Sequence, residues 1–126
     1  MSGAQASPQL AQLVSRPPDS NFFDGFGNGF SSGCTFSEDG QRIAYSSMAF
    51  NLVEGDSNRL SDVFVLNRND GGTELISRAS TGDLADGRSD TGFISGNGRF
   101  VLFLSLAENL GVTGSWQVFR RDLNTG

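Results

Sequence analysis

Residues 37–47, SEDGQRIAYSS, return later in the chain as residues 95–105, SGNGRFVLFLS. Ser37 matches Ser95, Gly40 matches Gly98 and Ser47 matches Ser105 at one constant offset. Asp39-Gly40 and Asn97-Gly98 are dipeptides that favour the positive φ angles of hairpin turns, and each leads into a β-rich run. Working outward at the same offset, Asn51-Leu52 matches Asn109-Leu110. After a short deletion in the second copy, Val63-Phe64 matches Val118-Phe119. A further echo links Leu13-Val14-Ser15-Arg16 to Leu75-Ile76-Ser77-Arg78. Internal repetition on this scale is the signature of stacked supersecondary units.

Each unit reads as strands. Short strands are expected around residues 33–36 and 91–95, then over 42–48 and 99–105, then over 62–68 and 116–122. The turn Asp70-Gly71-Gly72 leads into a fourth strand over 73–78. Four short antiparallel strands form the meander from which propeller blades are built. The fold class is therefore all-β, with two four-stranded antiparallel propeller blades forming an incomplete propeller. Further copies or missing chain would close it. The segments divide as a disordered stretch over 1–10, a strand completing a neighbouring blade plus a Phe/Gly-rich loop over 11–32, a first blade over 33–80, and a second blade over 81–126 that lacks its last strand. The runs Ile43-Ala44-Tyr45 and 100–104 show no alternation, as expected of strands covered on both faces. The expected core is Phe36, Ile43, Tyr45, Val63, Phe64, Val65, Leu75, Ile76, Ile94, Val101, Phe103, Val118 and Phe119. One helical turn is expected in each of the connectors 48–53 and 106–111.

Composition narrows the chemistry. The chain has 126 residues and a formal charge of −5, which offers no cationic footprint for nucleic acid. It contains no histidine, and every basic residue is arginine. A Ser-His-Asp or Cys-His nucleophile, an imidazole metal ligand, a Schiff-base amine and a phosphate-loop lysine are all excluded within it. Cys34 is the single cysteine, so no intrachain disulfide forms, and a buried or half-buried side chain is its expected state. No signal peptide is visible in the first nine residues, and no run approaches the roughly 20 apolar residues of a membrane span.

The run from Ser37 to Asn67 resembles the repeat of bacterial TolB-like propeller proteins. Ser37, Asp39, Gly40, Ile43, Ala44, Tyr45 and Ser47 match its turn and strand. Asn51, Leu52, Val53, Gly55, Asp56, Asn58 and Asp62-Val63-Phe64-Val65 match the remainder of the repeat. The second unit keeps Ser95, Gly98, Asn109, Leu110, Val118, Phe119 and the ending Arg121-Asp122-Leu123, but lacks the Gly-Asp-x-Asn piece. The resemblance implies a secreted, periplasmic or cell-surface location and a role in holding other macromolecules. It implies no particular activity.

Two candidate sites stand out. Asp56, Asn58 and Asp62 offer several oxygen ligands within one loop, a pattern suited to calcium. The competing reading is that Asp56 and Asn58 cap their own turn. Phe22, Phe23, Phe26 and Phe30 stand in a Gly/Asn/Asp loop, either as an apolar patch for a protein or glycan partner or as side chains that plug the gap between blades or seal a subunit contact. The acidic loop of Asp83, Asp86 and Asp90 has a cation reading and a solvated-turn reading, and Trp116 reads as packing. No carboxylate pair is marked out for glycoside hydrolysis. The expected function is a non-catalytic extracytoplasmic β-propeller module that binds protein or assembles with itself as a ring or filament. Two alternatives stay open: an accessory propeller fragment of a secreted hydrolase or lyase, and a calcium-stabilised self-assembling surface protein.

Overall fold

The computed structural model describes Val14 and residues 31–53, 55–56, 60–111 and 114–124. Seven strands form two antiparallel sheets. The first contains β1 (Ser31–Phe36), β2 (Arg42–Ser47), β3 (Asp62–Asn67) and β4 (Thr73–Leu75), in chain order. The second contains β5 (Ser89–Ile94), β6 (Phe100–Ser105) and β7 (Gln117–Asp122), also in chain order. The 42–47 and 100–105 runs thus lie in separate sheets. Among the described residues the two sheets close into neither a barrel nor a ring, and no helix is long and apolar enough to cross a membrane.

The repeat holds down to single hydrogen bonds. Ser37 Oγ donates to Asp39 Oδ1 at 2.7 Å, and Ser95 Oγ donates to Asn97 Oδ1 at 2.6 Å. Those same oxygens accept from the backbone N–H of Gln41 and of Arg99, each at 3.0 Å. Gly40 and Gly98 take φ of 71° and 73°, a left-handed conformation that glycine adopts without the Cβ clash. Both first strands carry an irregularity at the same place, between Ser32 and Thr35 and between Asp90 and Phe93. Ser31 Oγ donates to Ser47 Oγ at 2.7 Å, and Ser89 Oγ donates to Ser105 Oγ at 2.8 Å.

The sheets stack face to face, with β5 lying over β1 and β2. Ala44, Val63, Val65 and Ile76 from the first unit meet Val101 and Phe103 from the second, flanked by Ile94, Phe119 and Leu123. Phe103 and Phe119 stack at 5.7 Å between centroids, an aromatic contact that contributes about 1 kcal/mol beyond its area. β5 approaches so closely that a Cβ on Gly92 would lie 2.9 Å from Val63 Cγ1 and 3.2 Å from Ala44 Cβ. Polar ties frame this contact. Thr35 Oγ1 donates to the Gly92 carbonyl and accepts from Ile94 N–H, each at 3.0 Å. Ser61 Oγ donates to Asp90 Oδ1 at 2.7 Å. The Arg42 guanidinium donates to the Gly98 carbonyl, and Glu38 N–H donates to the Gly96 carbonyl at 2.8 Å. Arg121 reaches back from β7 to the carbonyls of Ile76 and Arg78, holding the chain as it leaves β4.

A second cluster occupies the opposite face of the first sheet. Tyr45, Ala49, Leu52, Phe64, Leu66 and Leu75 are buried there, with Val14, Val53 and Leu84 packed against them. Val14 echoes Ile76 in sequence, and it packs on this outer cluster as Ile76 packs in the cluster between the sheets.

Several expectations need correction. Phe36 is 70% exposed and Val118 66% exposed, so neither belongs to the core. Phe36 lies on the face of the first sheet turned away from the second, beside Ile43 and Tyr45, and Val118 on the far face of the second. Cys34 is exposed rather than buried, because it sits in the irregular stretch of the edge strand β1. β6 alternates between buried and open positions, since sheet covers it on one side only. β4 is three residues long and shorter than expected. Glu108–Leu110 forms one 3-10 turn, whereas residues 48–53 contain only bends.

This packing can be tested at two places. Gly92→Ala forces backbone or Val63 to move and lowers stability by about 1–3 kcal/mol, measurable by urea denaturation. The Ser37 hydroxyl and the Gln41 N–H hold the Asp39 carboxyl below its ordinary pKa. The first turn is therefore fully supported above the unfolded carboxyl's titration range and loses that support as pH falls through the lower folded value. Asn97 has no proton to gain. The Gln41 amide resonance should shift with acid while that of Arg99 shows no matching step.

Candidate functional site

Strand alternation decides what the second sheet offers to solvent. Val101, Phe103 and Ser105 turn toward the first sheet and are buried. Phe100, Leu102 and Leu104 turn away, and Leu102 and Leu104 are exposed. From the neighbouring strands come Phe93, 54% exposed, and Val118. Leu106, just after β6, and Trp116, just before β7, are exposed as well. The Arg99 and Arg120 guanidinium groups stand over the Phe100 ring, at 4.8 Å and 4.7 Å from its centroid. Arg99 is also held by Asp122 through two hydrogen bonds of 3.1 Å and 2.9 Å. The result is an apolar sheet face with a cationic aromatic end, on a chain whose net charge is negative.

The repeat assigns each residue of this face a counterpart in the first unit. On the first sheet, the face covered by β5–β7 carries Thr35, Arg42, Ala44, Ser61 and Val63. The matching positions on the open face of the second sheet are Phe93, Phe100, Leu102, Trp116 and Val118. Thr35, Arg42 and Ser61 are side chains that make polar ties between the sheets. All three counterparts are aromatic. The open face is thus the equivalent of one that is covered elsewhere in this chain, and it is the more apolar of the two. Contiguous exposed apolar surface of this kind marks interaction sites.

The first sheet offers an apolar groove on its own outer side. It is lined by Val14, Phe36, Ile43 and Tyr45 together with the β1 segment 31–34. Tyr45 forms its floor, stacked on Phe64 at 5.8 Å, and burial pushes its phenol pKa up.

The residues singled out in the sequence are distributed differently. Phe22, Phe23, Phe26, Phe30 and Asn58 lie outside the described residues. Asp56 and Asp62 are both buried. Asp62 Oδ1 accepts from Ser77 Oγ at 2.7 Å, and the same hydroxyl accepts from Val63 N–H at 3.0 Å. Asp62 therefore anchors the chain after β4 to the start of β3. Asp86 Oδ1 accepts from the Glu108 and Asn109 N–H groups, and Asn109 Oδ1 accepts from Asp86 N–H. Asp90 binds Ser61 and pairs with Arg88 at 2.7 Å, while Asp83 accepts from Thr81. The Asp83–Asp90 loop is a hydrogen-bonded connector. Among the described residues no group of three or more His, Cys, Asp or Glu side chains converges as a metal site. Trp116 is exposed at the entrance to β7 rather than packed.

Sequence reasoning missed Phe93, Leu102, Leu104 and Val118 as surface residues. For Phe93, Leu102 and Leu104 the signal was present in the comparison of copies, where Thr35, Ala44 and Ser46 of the first unit become large and apolar in the second; Val118 matches Val63 and carries no such signal. Compared with known proteins, the sequence matches no family model and no curated protein.

The buried anchor gives a direct test. Ser77→Ala removes two buried hydrogen bonds, one of them to a carboxylate, and should lower stability by about 1–3 kcal/mol in urea melts. Thr81→Ala, whose bond to Asp83 is exposed, should change it by less than about 0.5 kcal/mol.

Proposed function

We propose that the chain is two consecutive blades of a TolB-like β-propeller, working outside the cytoplasm as a non-catalytic module that binds protein or assembles with itself. The observation that carries this reading is the direction of the stack. The two sheets succeed each other in the same orientation, so the covered face of the first corresponds to the open face of the second. Stacking of this kind leaves two unlike outer faces, as in successive propeller blades. The absence of histidine and lysine from the sequence supports binding over catalysis by an imidazole or a side-chain amine. The resemblance of residues 37–67 to the TolB-like repeat supports the extracytoplasmic location.

If the open face serves recognition, its side chains contribute little to the fold of the isolated chain. Leu102→Ser and Val118→Thr, measured in dilute solution, should each leave stability within about 0.5 kcal/mol of the parent. Val101→Ala, on the buried side of the same sheet, should cost about 2 kcal/mol. Losses of equal size at all three positions would mean that the face is core, and the binding-module reading would fail.

A further inference from the structure

We infer that the open face of the second sheet docks a second copy of this chain head to tail, through the outer groove of that copy's first sheet. The inference rests on the binding-module reading above and names the partner.

The contact inside the chain supplies the template. There, Ile94, Val101 and Phe103 of the second sheet cover Ala44, Val63 and Val65 of the first. Their counterparts on the first sheet are Phe36, Ile43 and Tyr45, which line or floor the outer groove. The counterparts of Ala44 and Val63 are Leu102 and Val118 on the open face. Repeating the internal operation once therefore places Phe36 and Ile43 of one copy over Leu102 and Val118 of the next. Phe36 and Val118 are among the most exposed apolar side chains described, and both become covered in one step.

Charge supports the same pairing. Within the chain, Glu38 N–H donates to the Gly96 carbonyl and Arg42 donates to the Gly98 carbonyl, so the turn after β5 packs on the end of the first sheet. That turn is neutral, reading Gly96-Asn97-Gly98. Between copies its place is taken by Glu38-Asp39-Gly40, and the surface it meets carries Arg99, Phe100, Arg120 and Asp122 in place of Gln41, Arg42, Val65 and Asn67. At the contact between copies an acidic turn meets Arg120 and the Arg99–Asp122 pair, where the contact within the chain sets a neutral turn against Arg42. Complementary charge of this kind fixes orientation and disfavours like-to-like docking.

The same correspondence defines the shape of the assembly. Cys34 stands where the second unit has Gly92, and Leu102 stands where the first has Ala44. The near-contact of 2.9 Å at Gly92 leaves no space for these larger side chains. The contact between copies therefore opens wider at this strand than the one within the chain, and the stack fans. Because the contact is heterologous, it builds a ring if the rotation closes and a filament if it does not.

The test uses two full-length variants, Phe36→Asp in the groove and Val118→Asp on the open face. Sedimentation or light scattering of the parent chain from micromolar to millimolar concentration should show mass rising in multiples of 13.4 kDa. Each variant alone should remain at the single-chain mass. A mixture of the two should form one-to-one dimers and stop there, because each variant keeps the one good face that the other has lost. Labelling of Cys34 by a maleimide should slow at least several-fold as the parent assembles. Parent chain that stays at single-chain mass throughout would overturn the inference, while an unchanged stability for Leu102→Ser and Val118→Thr would leave the binding-module reading intact with a different partner. Variants that assemble like the parent, or a mixture that stays monomeric, would also overturn it.

Discussion

The close approach of β5 to the first sheet is the constraint on which the rest of the structure depends. Gly92 lies flat on Ala44 and Val63, and only a residue without a Cβ fits there. This proximity fixes the spacing of the two sheets and lets Thr35 bridge to the backbone on either side of Phe93. It also sets which side of β6 becomes core. Once Val101 and Phe103 are committed to the first sheet, the pleat commits Leu102 and Leu104 to the other side.

A like-oriented stack differs in principle from a closed sandwich. When two sheets pair symmetrically, each satisfies the other and the outer faces can be polar. When they succeed each other in the same direction, the covered face of one is matched by an uncovered face on the next, and the apolar requirement is passed along. The second unit carries this further than the first. Its outward positions exchange Thr, Arg, Ser and Ala for Phe, Phe, Trp and Leu, so the surface passed along is more apolar than the one already covered.

Among the described residues, several polar side chains serve the fold. The Ser37 and Ser95 hydroxyls close their turns, Ser47 and Ser105 cap the backbone after the second strand of each unit, and Asp62 with Ser77 ties β3 to the segment beyond β4. The loop of Asp83, Asp86 and Asp90 behaves the same way. Asp86 and Asn109 exchange hydrogen bonds, and Asp90 is shared between Ser61 and Arg88. Both carboxylates accept from donors of the protein itself, which is the connector role their hydrogen bonds describe.

The sequence by itself determined the strands, the hairpin turns, the division into two sheets and the positional equivalence between them. These are local matters: turn dipeptides set φ, and β-branched and aromatic runs set extended backbone. Most of the inner core was legible for the same reason, since Val63, Phe64, Val65, Ile76, Val101 and Phe103 all stand in β-rich runs or directly after one. Only the tertiary structure decided which face of each strand is covered. Phe36, Cys34 and Val118 read as interior because apolar character reports a preference for burial and not the presence of a neighbour. Whether a neighbour exists depends on how the sheets stack, and stacking is fixed by contacts far apart in sequence, such as Gly92 against Val63 and Ala44.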